Sequence, residues 1–253
     1  MSSAIIVIPC YNEARRLQVR TFQAFTCERH TLRFLFVNDG STDDTWQVLE
    51  ALHTSAPQRF TTYHLAKNVG KGEAVRQGIL RALAADSDYV GYWDADLATP
   101  LEAIPAFCDL LDARLDLLTV FGARVRLLGR TIARRAVRHY LGRIFATAAS
   151  MVLRVAIYDT QCGAKLFRVT SEVQPLFQHP FVTRWLFDVE ILARLIQTRQ
   201  GTNLPPIEDL IYEFPLQEWH DVAGSKVKPR DFLRAFFGLA IICWKYPRPR
   251  TSI

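Results

Sequence analysis

Two aspartates separated by one residue, Asp94-Ala95-Asp96, close the apolar run Tyr89–Trp93 and stand just before Thr99-Pro100. At the end of a strand, residues i and i+2 point the same way, so both carboxylates can reach one ligand. Side by side they repel unless a cation or protons intervene. Mg²⁺ characteristically takes one or two protein carboxylates and completes its shell with water and substrate phosphate oxygens. An isolated Asp-x-Asp is most often a solvated loop. The apolar strand before this one, the Thr-Pro helix start after it and three further polar clusters argue for a ligand.

Those clusters are Pro9-Cys10-Tyr11-Asn12-Glu13, Asn38-Asp39-Gly40-Ser41-Thr42-Asp43-Asp44 and Asn68-Val69-Gly70-Lys71-Gly72. The glycine-rich segment opens a helix and can present backbone N–H groups to a phosphate or base. It is not a Walker loop, and no G-x-G-x-x-G is present, so P-loop hydrolysis and Rossmann hydride transfer lose their signatures. Asp39 has two readings of near-equal weight: a turn residue capping the next helix, or an acceptor for a nucleobase edge. The six histidines show no ligand spacing. Cys162 reads as packing rather than as a nucleophile.

The elements that must position these groups alternate along the first half. Short apolar runs at Ala4–Ile8, Phe34–Val37, Phe60–Leu65, Tyr89–Trp93 and Leu117–Phe121 are separated by helical stretches near Glu13–Cys27, Asp43–His53, Lys71–Ala85 and Leu101–Asp112. Continuous rather than alternating apolar strands imply a mainly parallel sheet covered on both faces, an α/β fold. In such sheets ligands bind beyond the carboxyl ends of the strands. Four polar clusters at four strand ends should therefore converge on one crevice. Ser41 or Thr42 is expected to cap the second helix. The second half predicts helices over about Ile132–Ile157, Thr183–Gln197 and Arg230–Trp244, with a strand at Ile211–Phe214. With no repeat or low-complexity linker, residues 1–253 read as one domain.

Composition narrows the class. The chain has 253 residues, 49% hydrophobic and 22% charged, which is ordinary for a globular protein. Five scattered cysteines without a C-x-x-C pair fit reduced thiols in a cytoplasmic compartment. No signal peptide is expected at the N-terminus, and no apolar run approaches the roughly 20 residues of a membrane span. The net charge of +6 belongs to one block. Between Leu117 and Tyr158 there is no Asp, Glu or Lys, but Arg124, Arg126, Arg130, Arg134, Arg135, Arg138, Arg143 and Arg154 all occur there.

The four strand-end motifs, in this order, strongly resemble family 2 glycosyltransferases of the GT-A fold. The likeness extends through Asp159-Thr160-Gln161-Cys162-Gly163-Ala164-Lys165-Leu166-Phe167, Arg184-Trp185-Leu186-Phe187-Asp188-Val189-Glu190 and Trp219 to Gly224-Ser225-Lys226. This longer set is similar to the dolichyl-phosphate glucosyltransferase, or polyprenyl-phosphate hexosyltransferase, branch. The resemblance implies a Rossmann-like GT-A domain, with residues 1–122 binding a nucleotide sugar, 123–229 binding the acceptor and 230–253 forming an interfacial helix. Pro9, Tyr11, Asn12, Glu13, Asp39 and Lys71 would line the nucleoside pocket. Asp94 and Asp96 would hold Mg²⁺ or Mn²⁺ on the diphosphate, and Asp159 with Gln161 would orient or activate the acceptor. Some related mannosyltransferases resemble D-x-D-x-Q, whereas Ala98 here cannot ligate, which favours the glucosyltransferase-like branch.

The arginine block supplies the acceptor side of this reading. Arg124 and Arg126 follow the fifth strand directly, facing a donor diphosphate or an acceptor phosphate, and the guanidinium fork suits either. Lys226 is expected to close over the same phosphates from a loop. Arg130, Arg134, Arg135 and Arg138 lie beside an apolar helical face, and the C-terminal helix has similar character, as expected of interfacial helices on anionic lipid. Nucleic acid is not an expected partner, because neither a matching fold nor a stacking pattern accompanies the arginines. The resulting expectation is a metal-dependent inverting transferase at the cytoplasmic membrane face, peripherally attached. It would move a hexose, with UDP-glucose the expected donor, to a polyprenyl or dolichyl phosphate. The alternatives are a soluble or glycan acceptor, or mannosyl transfer from GDP-mannose.

Overall fold

A computed structural model describes residues 1–133, 136–221 and 229–247, apart from the side chains of 133, 136–139, 141 and 229–233. Arg134, Arg135, Lys226, Arg248 and Arg250 therefore lie outside the described residues, as does the side chain of Arg138.

The chain builds β1 (Ser3–Cys10), α1 (Val19–Ala24), β2 (Thr31–Asp39), α2 (Thr45–Ser55), β3 (Phe60–Leu65), α3 (Lys71–Leu83), β4 (Tyr89–Trp93), α4 (Ala103–Ala113) and β5 (Thr119–Ala123). It continues with β6 (Thr131–Ala133), α5 (Ala136–Leu153), β7 (Ala164–Arg168), α6 (Val173–Gln178), α7 (Phe187–Arg199), β8 (Ile211–Pro215), β9 (Glu218–His220) and α8 (Pro229–Lys245). Seven strands form one sheet in the order β3-β2-β1-β4-β7-β5-β8. All neighbours are parallel except β7, which runs antiparallel between β4 and β5.

The central strands are apolar on both sides because both faces are covered. Val7, Val37, Val90 and Phe121 meet residues of α3, α5, α7 and α8 on one face. Ile6, Ile8, Phe34, Phe36 and Val120 meet α1, α2 and α4 on the other. Gly78 of α3 lets that helix approach closely, since a Cβ there would press into Val7 and Val37.

Several local expectations are corrected. The helix expected over Glu13–Cys27 shrinks to α1, because residues 11–17 form the turn that carries the first polar cluster. Ser41 and Thr42 do not cap α2. They grip Asn12, whose N–H donates to Ser41 Oγ at 3.0 Å and whose Oδ1 accepts from the Thr42 N–H at 2.8 Å. The helix expected from Ile132 begins at Ala136, since Thr131–Ala133 pairs with β9 as a small parallel ribbon. Strand β7 and helix α6 had no sequence forecast. Among the described residues, no helix is long and apolar enough to cross a membrane.

Candidate active site

The strand order reverses between β1 and β4, the place where an open α/β sheet leaves a crevice beyond its carboxyl ends. A cleft of about 760 Å³ opens there. Pro9, Tyr11, Glu13, Asp39, Lys71, Asp94, Asp96, Arg124, Asp159 and Gln161 all line it, so ten of the sequence-derived site residues converge. Asn12 does not line it. At φ 51 it supports the turn through Ser41 and Thr42. Arg126 is exposed and lies off the cleft wall.

Asp39, at the end of β2, is only 2% exposed. Its carboxylate accepts the N–H groups of Val69 (2.7 Å) and Gly70 (3.0 Å) and the Asn68 amide (2.9 Å). Burial raises its pKa, and the two backbone donors pull it part of the way back. Asp39 thus clamps the glycine-rich loop against the sheet, a third role beside the two weighed from sequence. Gly70 takes φ 99, which a side chain would resist. Arg184 reaches over the loop and donates to the Val69 carbonyl at 3.2 Å.

Asp94 and Asp96 occupy a turn after β4 in which Leu97 adopts φ 52. The Asp94 N–H donates to the Gly163 carbonyl at 2.9 Å, and a Cβ at Gly163 would overlap the Asp94 carboxylate. Lys71 Nζ lies 2.5 Å from Asp94 Oδ1, and Arg16 stands 3.8 Å from Asp96. Burial first, and then the charge of Asp94, push the Asp96 pKa upward. This is a pair of hard oxygen donors whose mutual repulsion is only partly compensated, and a divalent cation fits it. No cluster of three or more His, Cys, Asp or Glu that could hold a metal exists among the described residues. A metal here would need substrate phosphate and water to complete its shell.

Also lining the cleft, Arg124 and Asp159 form a two-pronged ion pair, Nε to Oδ2 at 2.6 Å and Nη2 to Oδ1 at 2.7 Å. Burial opposes the Arg124 charge, but the Asp159 carboxylate outweighs it and holds the pKa above the usual guanidinium range. Arg124 also lies over the Trp219 ring, 5.4 Å from its centroid. Glu213 of β8 accepts the N–H groups of Tyr158 (2.7 Å) and Asp159 (2.8 Å), fixing the start of the loop. Among the described residues, Gln161 Nε2 is buried without a hydrogen-bond partner. A buried unpaired donor costs about 1–3 kcal/mol, and a substrate oxygen would satisfy it.

Three features escaped the sequence reading. Arg143 and Arg234 bring α5 and α8 to the cleft rim. Gly163 and Glu213 support the carboxylates from behind. Lys165 and Asp188 form a buried ion pair at 2.6 Å. Glu213 had a visible signal, an acid inside an otherwise apolar strand. So did Lys165, a lysine at the head of a run that continues Leu166-Phe167.

Beyond the rim, α5 and α8 pack together, with the rings of Phe145 and Phe236 6.1 Å apart. Each keeps an apolar stripe outward: Tyr140, Ile144 and Met151 on α5, and Phe237, Ile241 and Trp244 on α8. Trp244 is 85% and Phe237 72% exposed.

A mainly parallel sheet with an Asp-x-Asp turn facing a glycine-rich loop across the switch-point crevice is the architecture of a GT-A glycosyltransferase. The M. tuberculosis glucosyl-3-phosphoglycerate synthase has this fold. Its structure with UDP overlays at a TM-score of 0.60 with 19% identity, covering 100% of this chain and 83% of that one. Its complex with Mn²⁺ and UDP-glucose gives 0.61, also at 19% identity, covering 100% and 82%.

Residues 5–172 match the model of Glycosyl transferase family 2, and the chain belongs to that family. The dolichyl-phosphate beta-glucosyltransferase of Saccharomyces cerevisiae is 32% identical over 241 residues, covering 88% of this chain and 68% of that protein. The Dictyostelium discoideum protein of the same name is 29% identical, covering 95% and 76%. The Homo sapiens one is also 29% identical, covering 88% and 69%.

Proposed function

We propose that this glycosyltransferase moves glucose from a nucleotide sugar to the phosphate of a dolichol-type prenyl phosphate, working from a membrane surface to which it attaches peripherally. The observation that carries the reading is the two-walled cleft. Its carboxylate and glycine-loop wall suits a nucleoside diphosphate sugar, while its arginine wall leads to helices with outward apolar stripes. The activity in the names of the relatives is the same transfer.

On the donor wall, Pro9, Tyr11, Glu13, Asp39 and Lys71 surround the nucleoside, and the clamp of Asp39 on Val69 and Gly70 keeps the loop ready before donor arrives. Asp94 and Asp96 would hold Mg²⁺ or Mn²⁺, whose Lewis acidity would neutralise charge on the departing diphosphate. On the acceptor wall, Arg124 attracts and aligns the acceptor phosphate. That phosphate is anionic at neutral pH, so a strong general base is less necessary than for a sugar hydroxyl. Asp159, already committed to Arg124, orients the guanidinium rather than removing a proton. Attack opposite the leaving group inverts the anomeric carbon, so an α-linked donor gives a β-linked product.

The stripes on α5 and α8, with Arg154 and Lys245 exposed beside them, suit the headgroup level of a membrane. The reading is tested with purified protein, labelled UDP-glucose and Mg²⁺, adding dolichyl phosphate in one arm and soluble phosphorylated acceptors in another. Label passing into the organic phase only with the lipid is the expected result. Label transferred only to a soluble phosphate would replace the lipid acceptor.

A further inference from the structure

Lys165 of β7 is 0% exposed, in register with Tyr92 of β4 on one side and Phe121 of β5 on the other. It is not among the cleft residues and so does not touch a ligand there. Its ammonium nevertheless has three partners: the carbonyls of Thr160 (3.1 Å) and Cys162 (2.7 Å), and Asp188 Oδ1 (2.6 Å). These match the three donors of an ammonium group. Asp188, in the first turn of α7, also accepts the Tyr92 hydroxyl. One buried cation therefore ties the 159–163 loop to α7 and, through Asp188 and Tyr92, to β4, the strand that leads into Asp94.

That loop bridges the two walls of the cleft. Its first residue, Asp159, holds Arg124, and its last, Gly163, accepts the Asp94 N–H and packs against the Asp94 carboxylate. Lys165 grips it between those ends. Stability alone gives little reason for such a group, because well-packed apolar residues often replace a buried ion pair without loss. An apolar side chain would, however, leave two loop carbonyls unpaired and the loop free to shift. A displacement of about 1 Å between reacting groups can cost roughly 100-fold in rate.

We propose that Lys165 is a positioning residue for glycosyl transfer, setting the distance between the donor carboxylate Asp94 and the acceptor pair Arg124–Asp159 through the loop carbonyls. The inference rests on the glycosyl-transfer reading above. It separates kcat from nucleoside binding, because Pro9, Tyr11, Glu13 and Asp39 are carried by the ends of β1 and β2 rather than by the 159–163 loop.

The test compares wild type with Lys165→Met and Tyr92→Phe. Turnover is expressed per folded molecule, folding is followed by thermal melting, and UDP affinity is measured by calorimetry. Lys165→Met is expected to lose roughly 100-fold or more in kcat, with UDP affinity and donor KM within about threefold of wild type. Tyr92→Phe removes only the hydroxyl that steadies Asp188. It is expected to fold and to lose about tenfold in kcat, so it carries the test if Lys165→Met does not fold. Wild-type kcat per folded molecule in Lys165→Met, or in Tyr92→Phe when Lys165→Met is unfolded, overturns the inference. Donor hydrolysis without acceptor is measured alongside. A wild type that hydrolyses donor but glycosylates no prenyl phosphate removes the acceptor reading, and the effect of Lys165 is then read on hydrolysis.

Discussion

The two walls of the cleft are built differently. On the proposed donor wall each polar group leaves the end of a strand or the start of a helix, and backbone anchors two of the carboxylates: Asp39 takes two N–H groups of the glycine loop, and Asp94 is held through Gly163 beside its ion pair with Lys71. On the acceptor wall the charged groups hold one another. Arg124 rests on Asp159, the Asp159 backbone rests on Glu213, and the rim is made by α5 and α8, whose outer faces are apolar and exposed. A wall whose carboxylates are anchored to backbone suits a donor of constant shape. A wall fixed by side-chain pairs beside an apolar face suits an acceptor arriving from a second phase.

The largest effect should come from the charge that only the donor wall can supply. Asp96→Asn, or chelation of divalent metal, is expected to lower transfer by roughly 1000-fold. The melting temperature of the variant should stay close to wild type, because Asp96 is part-exposed at the cleft. Turnover near wild type would remove the metal-holding role. Gly163→Ala comes next, with a loss of roughly 100-fold in kcat, since the added methyl displaces the Asp94 carboxylate. An unchanged kcat would show that the two walls are not mechanically joined at Gly163.

Arg124→Lys sharpens the contrast, because it keeps the charge but loses the fork. Acceptor KM should rise about tenfold while donor KM stays within about twofold. Equal rises in both would place Arg124 on the donor wall instead. The smallest effect is expected outside the cleft. Trp244→Ser on α8 should weaken sedimentation with anionic vesicles about fivefold and leave transfer to a detergent-solubilised short-chain prenyl phosphate unchanged. Sedimentation equal to wild type would detach the apolar stripe from the membrane.

The same contrast explains what could be read in the sequence. The donor wall was legible because its signals are local: an apolar run followed at once by Asp94-Ala95-Asp96, or by Asn38-Asp39-Gly40, fixes both the strand and the direction of its last side chains. The family resemblance added Asp159 and Gln161. Glu213 and Lys165 stood out as charges in apolar strands, but the pairing of Lys165 with Asp188 and of the Asp159 backbone with Glu213 was not legible, because both are long-range contacts set by where β7 and β8 lie in the sheet. Strand β7 itself is short and carries a lysine, a poor strand signal until the buried carboxylate opposite it is known. The start of α5 was misplaced for a related reason: Ile132 fits a helical apolar face as well as a strand, and only its pairing with Trp219 decides.

The most direct measurement is the mass of the lipid product. Purified protein, divalent metal and dolichyl phosphate are incubated with UDP-glucose, UDP-galactose, GDP-mannose and UDP-N-acetylglucosamine in turn. Dolichyl phosphate heavier by one hexose with UDP-glucose, with the sugar β-linked, is the predicted result. Donor consumed with no change in lipid mass, or a hexose appearing only from GDP-mannose, would contradict it.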